Sequence, residues 1–182
     1  MFTDLVITGE IQEKFGFGNI IKVDIITINS ANDLIQRLKT TKKPVVVEGG
    51  LFNREILSNK KVDMLLSPEK MSRKDFMHSR NSGLNHVLCK LANKNKIAIG
   101  FNFNDILKSK NKGQLIGRMM QNVKLCRKYK VDTVFASFSE TKWDMRPAKD
   151  LINFATVLGM HPTEANDSLS NLKVNSSVLP EL

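Results

Sequence analysis

Cysteine is scarce in this chain: 182 residues contain two, Cys89 and Cys126. Neither has a second thiol at metal-ligand spacing, so a disulfide framework is excluded. Cys126 shares a helical face with Leu115, Met119 and Val123 and reads as a small core hydrophobe. The three histidines, His78, His86 and His161, are widely spaced, with no HxH pair and no carboxylate at ligand spacing. His86 and Cys89 lie one turn apart and could fill two coordination positions, but nothing in the sequence supplies the others. Aromatics make up 7% and fall mostly in apolar segments, which argues against stacking platforms for single strands. No apolar run approaches the roughly 18 residues of a membrane span. The start, MFTDLVITGE, lacks a positive region followed by an apolar one, so a soluble, cytoplasmic protein with no membrane partner is expected. Phosphate-cradling and nucleophile motifs are missing as well. Gly16 and Gly18 precede a strand rather than follow one, Gly49-Gly50 lacks a third glycine, and neither GK[ST] nor GxSxG occurs.

What the sequence has is positive charge in one place. The net charge is +10, and residues 60–130 hold 17 Lys and Arg against four acids, Asp63, Glu69, Asp75 and Asp105. The remainder holds 11 against 14, so the whole excess is central. A near-neutral frame with one basic section suits a polyanionic partner. A solvated lysine-rich surface is the competing account, and it suffices for the KTTKK run at 39–43 and for Lys108, Lys110 and Lys112.

Short β-branched runs predict six strands, at 2–7, 20–28, 45–47, 62–66, 97–101 and 133–136. Helical segments alternate with them. A turn is expected over 10–17, a helix capped by Ser30 with Leu34, Ile35 and Leu38 inward, and short helices at 53–57 and 102–107. The longest helix is predicted over 114–130, with Gly117, Gln121, Lys124 and Lys128 outward. Pro147 opens another in the N1 position, which stops at Gly159. Alternation of short strands with crossover helices implies an α/β class with parallel pairing, either an open doubly wound sheet or a closed barrel. One domain is expected over residues 1–162, followed by a polar segment, 163–182, with a last helical turn and a frayed tail.

The stretch from Ser72 to Ala92, SRKDFMHSRNSGLNHVLCKLA, concentrates the candidate chemistry. At 100° per residue Leu84, Val87, Leu88 and Leu91 share one face, and His86, Cys89, Lys90 and Asn93 the other. Arg73, Lys74, His78, Arg80 and Asn81 crowd before the helix start, where backbone N–H groups and the helix dipole favour an anion. Lys70, Arg118, Lys124, Arg127, Lys128 and Arg146 complete the candidate phosphate-binding set, in which guanidinium forks match phosphate and ammonium groups add point charge. Taken singly, each reads more readily as a solvated surface charge; for the group before Gly83, proximity to a helix start tips the reading towards phosphate. Trp143 and Arg146 form either an exposed stacking element or a tight turn. Asp24 and Glu48 are better explained as structural carboxylates than as a catalytic pair.

Three runs in order, RNSGLNHVLCKLANKNKIAIGFNFNDIL, RMMQNVKLCRKYKVDTVFASFSE and MRPAKDLINFATVLGM, with VDMLLSPE at 62–69, resemble the archaeal ribonuclease P protein component three family. That family is homologous to the thirty-kilodalton subunit of the eukaryotic enzyme. The resemblance covers 62–160 well and the N-terminal part loosely. It implies a TIM-like α/β barrel related to the PHP phosphoesterases without their metal site. Asp4 stands where those enzymes begin an Asp-x-His-x-His run, but Leu5, Val6 and Ile7 follow. The implied role is to brace the catalytic domain of ribonuclease P RNA during 5′ leader removal from precursor tRNA, which the protein would meet indirectly. Catalysis would belong to the RNA, with Mg²⁺ used by the RNA and no cofactor or catalytic residue on the protein. A small ferredoxin-like subunit would be the protein partner, in a two-plus-two heterotetramer. The alternatives are a stand-alone metal-dependent phosphoesterase on the same barrel, requiring Zn²⁺ or Mn²⁺, and a general cationic binding module.

Overall fold

The computed structural model describes residues 2–7, 15–41, 44–70 and 74–170. Among them are seven strands: β1 (Thr3–Val6), β2 (Asn19–Lys22), β3 (Ile25–Ile26), β4 (Val46–Glu48), β5 (Met64–Leu66), β6 (Ala98–Asn102) and β7 (Thr133–Ala136). The helices are α1 (Ala31–Arg37), α2 (Asn53–Ser58), α3 (His86–Asn95), α4 (Phe103–Lys108), α5 (Lys112–Tyr129), α6 (Ala148–Val157) and α7 (Pro162–Ser170). All strand pairs are parallel: β1 with β2, and β3-β4-β5-β6-β7 in sequence order.

The two sheets meet where β7 leaves off beside β1. Phe138 donates its N–H to Leu5 O at 2.8 Å and Ile7 donates to Ser139 O at 2.9 Å. Asp4, fully buried, reinforces this seam by accepting from the Ser137 N–H at 2.7 Å and from its hydroxyl at 2.5 Å. Burial pushes the Asp4 carboxyl up to about 6, against the lowering effect of the Ser137 bonds.

Alternation along the strands sorts the core into two clusters. Leu5, Val23, Val46, Met64, Leu66, Val134, Ala136 and Phe138 pack on one side. The intervening residues, such as Val47, Leu65, Ile99, Phe101 and Phe135, pack against helix residues including Leu115, Met119, Leu151 and Leu169. Covering on both faces is why the strands read as continuous apolar runs.

Several expectations change. The strand predicted over 20–28 divides, because buried Val23 and exposed Asp24 carry the chain from the β1 partner, β2, to the β4 partner, β3. Ser30 caps α1 as expected, with Asp33 N–H on its Oγ at 3.1 Å, but Ile35 is exposed. Helix α3 starts at His86, capped by Asn85, whose Oδ1 accepts from Leu88 N at 2.9 Å. Leu84 therefore precedes the helix, and the inward face is centred on Cys89 and Ala92, both fully buried, with Val87 exposed. Cys126 is buried as expected, and so is Cys89. Pro147 occupies the N-cap of α6 rather than N1, and Gly159 follows with φ +97°. The turn expected after His161 is the nine-residue α7, with Ala165 and Leu169 buried. The turn predicted over 10–17 falls largely outside the described residues, as do 171–182. None of the described helices is long and apolar enough to cross a membrane.

Candidate nucleic-acid interface

The chain turns back over the strand ends after β5. Ser67, at φ +50°, leads into a 3-10 turn, Pro68–Lys70, and residues 74–85 then cross α5 on their way to α3. Buried polar groups of α5 hold that crossing in place. Arg118, 4% exposed, donates from Nε to Asp75 Oδ1 at 2.7 Å and from Nη1 to the Glu69 carbonyl at 3.2 Å. Asp75 Oδ1 also accepts the Asn81 N–H at 2.9 Å. Desolvation raises the Asp75 pKa, but the bonds from Asn81 and Arg118 outweigh it and hold the carboxyl below its ordinary range.

One turn along α5, Asn122 donates to Glu69 Oε2 at 3.0 Å and to Ser82 O at 2.9 Å. Glu69 is fully buried, and desolvation pushes its pKa up to about 8, which favours the neutral carboxyl. Gln121 reaches the Arg80 carbonyl at 3.2 Å and the Ser82 hydroxyl at 3.1 Å. Gly83 closes the loop at φ +76°, so close to Pro68 that a Cβ would lie 1.9 Å from its carbonyl oxygen. Asn53 accepts the Gly50 N–H at 2.7 Å and donates to Gly83 O at 3.0 Å, joining α2 to the same loop. The result is a pinned loop carrying exposed cations, a preorganised surface for an anion.

The profile of the RNase P subunit p30 family matches residues 50–175, more than half of the chain. The chain belongs to this family. It is 29% identical to ribonuclease P protein component 3 of Methanosarcina mazei over 86% of this chain and 65% of the relative. Identity is 32% to the Methanococcus maripaludis protein of that name, covering 83% and 65%, and 33% to that of Thermococcus gammatolerans, covering 88% and 72%. The chain thus spans about two thirds of the length of these relatives. Its fold is similar to that of a chain in the cryo-EM structure of an archaeal ribonuclease P with mature tRNA, with a TM-score of 0.69 at 22% identity, covering 92% of this chain and 77% of that one.

Within this chain the candidate residues divide. Lys74, His78 and Arg80 are exposed on the loop, and Lys124 and Lys128 on α5. Arg80 is braced by a bond from Nη1 to Gly117 O at 2.9 Å, and Gly117 and Gln121, expected outward, lie under it. Asn81 is half-buried and bonded to Asp75. Arg118 is a correction: it reads as a surface cation of the long helix but is interior and ion-paired. Lys70 sits 2.9 Å from Glu48 and 3.0 Å from Asp105. Its partial burial lowers the pKa, and the two carboxylates more than restore it, leaving it raised. Arg127 grips Glu164 with two nitrogens, at 2.7 and 2.6 Å, and joins α5 to α7. Arg146 donates to the Trp143 and Met145 carbonyls within a turn whose indole is 77% exposed. Arg73 lies outside the described residues. His86 faces solvent while Cys89 faces the core, so the two do not converge. Among the described residues no group of three or more His, Cys, Asp or Glu is placed to hold a metal ion.

Sequence reasoning missed Glu69, Asp75 and Asn122, which shape the loop from beneath. Their signal is faint: two of the four acids in a basic section, and an amide on the apolar side of a helix.

Proposed function

We propose that this chain is a protein subunit of ribonuclease P that braces the catalytic domain of the enzyme's RNA during removal of the 5′ leader from precursor tRNA. The carrying observation is the pinned basic loop over 74–85 in a chain of the RNase P subunit p30 family. Lys74, His78, Arg80 and Asn81 on the loop, with Lys124 and Lys128 on α5, form the RNA-facing set. Lys70 flanks it, Arg127 and Arg146 extend it at the margins, and Arg73 is assigned to it from the sequence. Arg118 acts from within by holding Asp75.

The finer reading follows from the same family. The seven parallel strands form a closed TIM-like barrel of PHP ancestry, with the β1–β7 bonds as one seam and the β2–β3 bend as the other. Catalysis belongs to the RNA, with Mg²⁺ bound there. A small ferredoxin-like subunit pairs with this chain in a two-plus-two assembly in the cytoplasm.

Reconstitution tests the reading. Adding the purified chain and the small subunit to ribonuclease P RNA at fixed Mg²⁺ raises the rate of leader cleavage. Equal rates with and without the chain overturn it.

A further inference from the structure

An open groove of about 650 Å³ runs between residues 50–54 and the 76–88 segment, with Leu84, Leu88 and Leu125 among its lining. That volume is in the range of small-ligand sites, which suits one or two nucleotides rather than a helix. Among the described residues no Asp or Glu lines it, whereas Arg54, Arg80 and His86 do. Arg54 is exposed and has no ion pair among the described residues. Arg80 is anchored by one nitrogen, on Gly117, and is otherwise exposed. The N-terminal end of α3 opens on the groove and adds positive potential.

Phe76 is the informative residue. Sequence composition argues against stacking platforms, yet this ring lines the groove and is 66% exposed. Its backbone is fixed by a bond from Phe76 N–H to Ser79 O at 2.8 Å. An exposed aromatic on a pinned backbone, beside guanidinium groups and the amides of Asn81, Asn85 and Gln121, matches the chemistry of an unstacked nucleobase on its phosphate chain. A duplex offers backbone but hides its base faces, and so leaves the ring unused. Absence of acids in the lining favours a polyanion over a mixed-charge protein surface.

We propose that this groove binds a short unpaired RNA segment, stacking one base on Phe76 while Arg54 and Arg80 hold the adjoining phosphates. The identity of that RNA as the ribonuclease P RNA rests on the function proposed above; the groove chemistry does not.

Fluorescence anisotropy of the full chain with labelled octauridylate, octaadenylate and a blunt eight-base-pair RNA duplex tests it. Single strands bind more tightly than the duplex. Phe76→Ala weakens single-strand binding about ten-fold, and Phe76→Tyr restores it. Arg54→Gln lowers affinity and flattens the salt dependence. Unchanged melting of these exposed-site variants accompanies the expected result. Equal affinity for duplex and single strand, or wild-type binding by Phe76→Ala, overturns the proposal. So does loss of the small protein subunit by Phe76→Ala with RNA affinity intact, which would assign the groove to a protein. Single-strand binding that persists without stimulation of leader cleavage sinks the functional reading and leaves the groove standing; stimulation unaffected by Phe76→Ala alongside unchanged RNA affinity does the reverse.

Discussion

Asn122 of α5 donates one amide nitrogen both to the buried carboxyl of Glu69 and to the Ser82 carbonyl, at 3.0 and 2.9 Å, and so fastens the two ends of the basic crossing to one side chain. Asn122→Leu removes both bonds and leaves the Ser82 carbonyl and Glu69 without that donor. A loss of about 2 kcal/mol is expected, read from urea denaturation, with weaker RNA binding because the loop is freed. Wild-type stability in the variant would show that the amide is dispensable.

Glu69 gives the protein a pH dependence. Its folded pKa, about 8, lies above the ordinary 4.5, so between those values the folded state holds a proton that the unfolded chain has released. Stability is full below about pH 4.5 and falls as pH rises toward 8. Asp4, raised from 3.8 to about 6, contributes the same sign over a lower window. Glu69→Gln stays neutral, so it removes most of the decline between pH 5 and 8, an effect on the order of a few kcal/mol. Parallel pH profiles for the two proteins would contradict this.

How much of this is legible in the sequence follows physical lines. Strand positions are readable because both sheet faces are covered, and an apolar run suffices to mark such a strand. The division of 20–28 is not, since every residue there fits either sheet and the bend depends on which partner β4 and β1 present. Periodicity misjudges the α3 face because it counts Leu84 into a helix that begins only at His86, after the Asn85 cap. Arg118 is hidden for a related reason: an arginine on a basic helix looks solvated unless its partner is known, and Asp75 lies 43 positions away. Loop cations such as Lys74 and Arg80 are found by charge clustering alone.

Gly83→Ala meets two obstacles at once, a positive φ and a Cβ 1.9 Å from the Pro68 carbonyl oxygen. The loop must move away from the 3-10 turn, breaking the Asn53 bond to Gly83 O. Destabilisation of about 3 kcal/mol is expected, measured as a lowered melting temperature. Gly50→Ala, where a Cβ meets nothing within 4 Å, serves as the contrast and should melt close to wild type.

The interior and exterior cations of α5 predict opposite phenotypes. Arg118→Met leaves Asp75 without its guanidinium counter-charge and removes the Nη1 bond to the Glu69 carbonyl. The side chain is almost fully buried, so a cost of about 3 kcal/mol is expected in chemical denaturation, with RNA affinity falling only as the loop loosens. Lys124 and Lys128 are exposed, and their replacement by alanine should alter stability by less than about 0.5 kcal/mol. If they face phosphate, the double variant reduces the slope of log K against log salt by about 2, since each ammonium group neutralises one phosphate in the wild-type complex. An unchanged slope removes both lysines from the interface, whatever the affinity of the wild-type chain.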